Sequence, residues 1–406
     1  MTIPHLLSLF MAMMLVAILI EPIAKWVRLP FSAALVLVGF LGSEIIVSQG
    51  IDTGIRWHSF QDLIFYVFIP VLVFDSAFRL NSRRLFRDLV YVLSLAVPLM
   101  LLAAGVTAVI VYYGIGHPIG FPWIAALLTG VLLSATDPVA VVSMLNQNQA
   151  PKRLELLLEG ESLFNDATVI VVFGLLIAIA QSGSDATDWN TALVRFLATF
   201  FGGLIIGGVI GGLASLLTRF LRRQEILGVV TLISAYFSYL LAEDVFHLSG
   251  VMAVLSCGLL LGEMQRHRMH IDDWNMVLGL WNFNAYVANA MIFLLAGVTI
   301  TMTMFTDRWI AMLVGVVAVI VARVVAVFGG IPILGWIPGV KPIPPGQQMI
   351  ITFGGVRGAV TLALALSLPL ELDYWFTIQS IAYGVVLFTL FIQAPAMVPI
   401  IRRFGR

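Results

Sequence analysis

The sequence predicts an all-α polytopic membrane protein of about thirteen transmembrane helices, built as two inverted repeats of six with paired discontinuous helices. Three observations predict it. Of the 406 residues, 60% are hydrophobic and only 11% charged, and the mean hydropathy is +1.03. A soluble domain carries about 25% charged residues, and one water-soluble core of this size could not hide so much apolar surface. Apolar runs of about 20 residues, the length that crosses a bilayer, recur along the whole chain. They are too long for barrel strands, which alternate over about 10 residues. Finally, the basic residues gather at alternate connections between the runs.

The runs fall approximately at 6–24, 29–48, 59–78, 88–114, 121–147, 154–180, 191–218, 226–242, 249–264, 279–302, 309–330, 346–368 and 377–400. The first is followed by Lys25 and Arg28 and has no basic leader, so it is expected to be a retained span rather than a cleaved signal. Glu44, Asp62 and Glu263 sit at span ends. The fifth run is interrupted by Ser134-Ala135-Thr136-Asp137-Pro138, because Pro removes a backbone donor and disfavours helix just before it. The sixth carries Gly160-Glu161-Ser162-Leu163-Phe164-Asn165-Asp166-Ala167. The eighth and ninth are separated only by the short polar stretch 243–247. The twelfth is interrupted by Gly354-Gly355-Val356-Arg357-Gly358, since clustered Gly weakens helix.

With the N-terminus outside, the inner connections hold Lys25, Arg28, Arg79, Arg83, Arg84, Arg87, Lys152, Arg153, Arg219, Arg222, Arg223, Arg266, Arg268, Lys341, Arg402, Arg403 and Arg406. The opposite side holds only Arg56, Arg195 and Arg308. That bias predicts an odd number of spans, an outside N-terminus and a cytoplasmic C-terminus. The runs within 6–180 then form one repeat, 191–218 a linker helix, and those within 226–400 an inverted second repeat. The two interrupted runs become counterparts, and paired broken helices of this kind point to a binding site at mid-membrane.

Thr136, Asp137, Asp166, Arg323 and Arg357 all fall near mid-depth at about 1.5 Å of rise per residue. Charged groups at that depth are costly and persist when paired or when they handle an ion. Glu161, Ser162, Asn165 and Asp166 share one helix face. Asp166 is expected to bind a cation and a proton in alternation; the competing reading is a structural partner for an arginine. A carboxylate withdrawn from water holds its proton more tightly, which allows such competition. Asn165 cannot ionise and is read as an orienting neighbour. Thr136, Asp137 and Ser162 offer the oxygen ligands that hard cations take, although Asp137 could instead neutralise helix ends at the break and the Ser162 hydroxyl could bond back to its own helix. Glu161 and Arg323 are the preferred structural ion pair, and Arg357 is expected to neutralise the helix ends at the second break. Asp75 either lines the approach path of a cation or caps a span edge near Arg79. Glu155 is expected to pair with Lys152 or Arg153, and His267 and His270 are read as solvated loop residues.

Several classes are excluded. The single Cys257 allows no intrachain disulfide, and the formal net charge of zero gives no basic surface for nucleic acid. Gly354–Gly358 lacks the third glycine and the preceding strand of a dinucleotide site. Neither an enzyme activity nor a cofactor is expected.

The stretches Ala135–Val141, Gly160–Ala167, Ala322–Val325 and Gly354–Ala359 together resemble the sodium/proton antiporters of the cation/proton antiporter superfamily. The neighbours Asn165 and Asp166 resemble its electroneutral branch. The resemblance implies electroneutral exchange of one monovalent cation, sodium, for one proton across the cell membrane, in the service of pH homeostasis. It implies a sodium site at Asp166, Asp137, Thr136 and Ser162, with help from Asp75, and it supports the Glu161–Arg323 pair. It implies a homodimer in the bilayer, in which a core bundle (88–180 and 309–400) moves against the remaining helices. Some relatives have Glu where Asp75 stands, and no regulation through a long tail after Arg406 is expected. Potassium/proton exchange is the nearest alternative, ahead of a cation channel or sensor and a sodium-coupled symporter.

Overall fold

The computed structural model describes residues 3–27, 29–48, 62–116, 120–182, 189–220, 224–267, 270–337 and 341–405. Among these residues every regular element is helical. In chain order the helices are α1 (Ile3–Val27), α2 (Phe31–Ser48), α3 (Ile69–Arg79), α4 (Ser82–Arg87), α5 (Leu89–Ala96), α6 (Pro98–Gly114), α7 (Trp123–Leu132), α8 (Val139–Gln147), α9 (Lys152–Ser182) and α10 (Trp189–Leu217). They continue as α11 (Gln224–Leu240), α12 (Gly250–Arg266), α13 (Ile271–Thr299), α14 (Met302–Val324), α15 (Gly330–Leu334), α16 (Pro345–Gly354), α17 (Ala359–Leu366), α18 (Trp375–Phe388) and α19 (Ala394–Phe404). Single π-helical turns lie at Ile64–Phe68, Leu241–Val245, Val325–Gly329 and Thr389–Gln393. Nine helical stretches among the described residues are long and apolar enough to cross a bilayer, with shorter apolar helices at Phe31–Ile46 and Trp123–Leu132.

The apolar runs coincide with helices wherever the chain is described, and the departures have local causes. The run at 88–114 is two helices, broken at Val97 (φ −120°, ψ −78°). Pro98 follows, and it disfavours helix at the residue before it. The run expected from 279 begins at Ile271, because Asp272 and Asp273 occupy the first turn of α13. Carboxylates there complement the helix dipole but fail an apolar test. The run expected from 309 is preceded by the start of α14 and a kink at Arg308 (φ −125°, ψ 17°).

The chain forms two compact units. The first comprises Met1–Ile64, Pro98–Leu158 and Asn289–Arg406. Within it, α2 crosses the end of α13 at Gly39 and Gly297, where backbones meet too closely for a Cβ. Gly130 of α7 lies in the same way against the Ala104 carbonyl of α6. Small residues that allow such approaches are what hold helices together in lipid, where apolar burial gives no net drive.

The second unit comprises Phe65–Val97 and Glu159–Ala288. Its centre is the pair α10 and α12. Gly203, Gly207 and Gly211 put one stripe of α10 against the backbone of α12 at Ser249, Ala253 and Cys257. α3 packs on the other side of α12 at Gly258 and Gly262. Phe74 of α3 stacks on the buried Trp281, with centroids 4.3 Å apart. The Trp281 indole N–H donates to Thr231 Oγ1 at 3.0 Å. Replacing Gly207 by Val puts a side chain on the Ala253 carbonyl and should cost about 1–3 kcal/mol or more. The expected result is loss of the monodisperse peak in size-exclusion chromatography, whereas Gly208→Ala, which meets open space, should run like the parent.

Candidate functional site

Both interrupted runs are broken helices, and the breaks meet inside the first unit. Between α7 and α8 the backbone leaves the helix at Ala135–Pro138; between α16 and α17 it does so at Gly355–Gly358. Leaving a helix exposes carbonyls at one end and N–H groups at the other. In an apolar surrounding each of these needs a partner, and the local chemistry supplies one for most of them.

The two breaks are joined by backbone. The Asp137 N–H donates to the Val356 carbonyl at 2.7 Å, and the Thr361 hydroxyl donates to the Ala135 carbonyl at 3.4 Å. Asp137 Oδ1 accepts from the Val139 N–H at 3.1 Å, which caps the start of α8. The same carboxylate lies so close to Gly358, at the start of α17, that a Cβ there would collide with it. Asp137 is therefore placed at the positive ends of two half-helices, where a negative charge is favoured.

The carbonyl end of α16 is held by cations and amides. Arg357 Nη1 donates to the Gly355 carbonyl at 2.6 Å. Arg323 Nη2, from α14, donates to the Ile351 carbonyl at 3.1 Å. Gln393 Nε2 donates to the Phe353 carbonyl at 2.7 Å, and the Val356 N–H closes on the Gly354 carbonyl at 2.9 Å. The Arg357 N–H is itself received by Thr389 Oγ1 at 3.2 Å. Arg323 and Arg357 are 8% and 4% exposed. Two guanidiniums thus meet the partial negative charge of one helix C-terminus. A Cβ on Gly355 would touch Arg323, Arg357 and Thr136 together, all within 3.3 Å. So Thr136, Asp137, Arg323 and Arg357 are brought to one crossing. A recess beside it is lined by Val319, Ile320, Thr352 and Phe353 as well as both arginines and Gln393.

The second unit holds the remaining residues of the expected site. Glu161, Ser162, Asn165 and Asp166 follow one another along α9; the first three are buried and Asp166 is partly exposed. All four make polar or electrostatic interactions. Asp75 Oδ1 accepts from Arg79 Nε at 2.7 Å and Nη2 at 2.5 Å within α3, which is the capping arrangement that was the alternative for this residue. Lys152 pairs with Glu155 at 2.9 Å, as expected. His267 is not simply solvated: its Nε2 lies 3.3 Å from Glu263.

Gln393 and Thr389 were not anticipated. Their signal was present: two polar residues one turn apart in the mostly apolar stretch 381–401. The π-helical turn that carries both, and the one that begins two residues after Arg323, place π geometry beside the crossing; such turns recur at functional sites.

The crossing, the carboxylates and the arginines can be set beside known proteins. The family model described as sodium/hydrogen exchanger, transmembrane, matches residues 11–403. A sodium/proton antiporter of Aphanothece halophytica is 32% identical, over 93% of this chain and 70% of its own. A low-affinity sodium/proton antiporter of Synechocystis sp. is 34% identical, over 97% of this chain and 73% of its own. The solved structure of a sodium proton antiporter from Methanocaldococcus jannaschii shares the fold, with a TM-score of 0.85, 19% identity and 98% of each chain covered. With four motifs in order and a family match spanning nearly every residue, the chain belongs to the sodium/hydrogen exchanger family of multi-pass membrane proteins.

Proposed function

We propose that this protein is a secondary active sodium/proton antiporter that exchanges one sodium ion for one proton with no net charge moved. The carrying observation is the crossing of two broken helices, with the Asp137 carboxylate at the start of both second halves. Such a crossing offers backbone oxygens and a carboxylate inside an apolar bundle, the chemistry that a desolvated monovalent cation needs. Family membership and relatives named sodium/proton antiporters support sodium and protons as the pair.

In this reading Asp166 is the titrating carboxylate. When it is ionised it attracts the cation; when it is protonated it carries the proton back. Asn165 stays neutral, so one charge travels each way. Ser162 lies one turn from Asp166 on α9 and supplies a hydroxyl. On the family resemblance, Thr136 and Asp137 complete the ligand set, Glu161 pairs with Arg323, and the core bundle moves against the other helices of a homodimer. The N-terminus lies outside and the C-terminus in the cytoplasm.

The test is proton flux in proteoliposomes driven by sodium, lithium or potassium gradients. Sodium-driven flux that is indifferent to a valinomycin-clamped potential is the expected result. Sodium conductance without proton movement, or flux driven by potassium and not by sodium, overturns the reading. Asp75→Asn should change the rate by only about two- to threefold, because this half-buried carboxylate is already engaged by Arg79 of its own helix, and an i,i+4 pair of that kind contributes little. A loss as deep as that of a site carboxylate would return Asp75 to the ion path.

A further inference from the structure

The turn of helix between α3 and α5 has no part in the exchange reading, yet its composition is marked. Within Ser82–Arg87, Arg83, Arg84, Phe86 and Arg87 are exposed, while Ser82 and Leu85 are buried. Phe86 is 70% exposed and the Arg83 side chain 74%. Asn81 fixes the turn by accepting from the Arg84 N–H at 3.1 Å, and the Ser82 hydroxyl donates to the Leu259 carbonyl at 3.3 Å. Below it, Leu85 packs where a Cβ on Gly160 would sit, 3.1 Å away.

The surrounding charge is mostly positive. Arg266 caps the end of α3 through the Arg79 and Leu80 carbonyls and lies over the Trp274 ring, 5.6 Å from its centre. Arg83 meets Glu263 at 3.0 Å, and Arg79 meets Asp75. Five arginines, Arg79, Arg83, Arg84, Arg87 and Arg266, thus face two contacting carboxylates, with Asp88 and His267 at the margin.

We propose that this turn is a seat for an anionic phospholipid of the surrounding leaflet, with Arg83, Arg84 and Arg87 around the headgroup phosphate and Phe86 among the acyl chains. Charge complementarity selects the occupant. A guanidinium cluster at a span end attracts anionic headgroups, at about 1 kcal/mol per basic residue near the surface. An aromatic ring beside it suits the boundary between headgroup and hydrocarbon and offers nothing to a soluble anion. The seat rests through Leu85 on Gly160, the first residue of the stretch that carries Asp166, so an occupying lipid would brace that part of α9. The proposal stands on this surface and does not depend on what the protein transports.

The experiment is native mass spectrometry of the purified full chain with phosphatidylglycerol or phosphatidylcholine added. Wild type should retain phosphatidylglycerol preferentially. The triple variant Arg83→Gln, Arg84→Gln, Arg87→Gln should weaken that binding at least about fivefold, with Lys at all three positions restoring most of it. Phe86→Ala should weaken it less. Equal retention of the two lipids by wild type, or unchanged phosphatidylglycerol binding in a triple variant whose thermal midpoint is normal, overturns the proposal. So does displacement of the lipid by millimolar inorganic phosphate, which would make this a site for a soluble anion. If the Gln variant does not fold, the Phe86→Ala variant and the phosphate competition on wild type still decide it.

Discussion

Replacing Asp166 by Asn should abolish coupled exchange, with sodium-driven proton flux falling ~100-fold or more toward the rate of empty liposomes. The substitution nearly preserves shape and removes only the ionisable proton. An amide cannot be negative when the cation arrives, and it has no proton to return. If the fold is kept, as a normal chromatographic profile and thermal midpoint would show, the loss belongs to the chemistry. Asn165→Ala offers the contrast. It removes an amide with no ionisable proton, so partial exchange should survive. A normal rate in Asp166→Asn would remove this carboxylate from the mechanism altogether.

The second large effect is expected at Arg357. Its guanidinium is almost wholly buried, and it donates to the Gly355 carbonyl at 2.6 Å. Truncation to Ala leaves the end of α16 short of a cation and a strong donor, with Gln393 reaching that carbonyl only at 3.4 Å. Losing a partner for a buried acceptor costs about 1–3 kcal/mol. The expected result is a thermal midpoint lowered by several degrees and an exchange rate reduced about tenfold, because Thr136 lies at the same point of the crossing. Arg357→Lys should recover the charge but only part of the geometry, since an ammonium lacks the planar fork. A midpoint and rate equal to wild type in Arg357→Ala would show that the other donors suffice.

These two residues also show how far the sequence could be read. Pro138 and the glycines at 354, 355 and 358 announced both breaks, because Pro and Gly act on the backbone locally. Arg357 was legible for the same reason: a lone cation inside a broken apolar run has few uses other than the carbonyls beside it. The contact between Asp137 and Val356 was not legible, since no local pattern encodes which residues of two distant breaks will meet. Arg323 was read only as a partner for Glu161, because a search for opposite charges overlooks backbone carbonyls such as that of Ile351, to which it donates. The π-helical turns escaped for a different reason: one extra residue in a turn leaves hydrophobic composition unchanged. The start of α13 was missed because polar first turns lie beyond the apolar stretch that defines a span.

The Asp137 N–H ties one broken helix to the other. Its acceptor, Val356, belongs to the other broken helix. The N–H groups inside an ordinary helix can exchange with heavy water when that one helix frays. This one can exchange only when the two breaks part. In deuterium labelling it should be slow while the crossing is closed, and its rate should report directly how often the pair separates. A backbone proton at the junction thereby becomes a clock for the crossing itself.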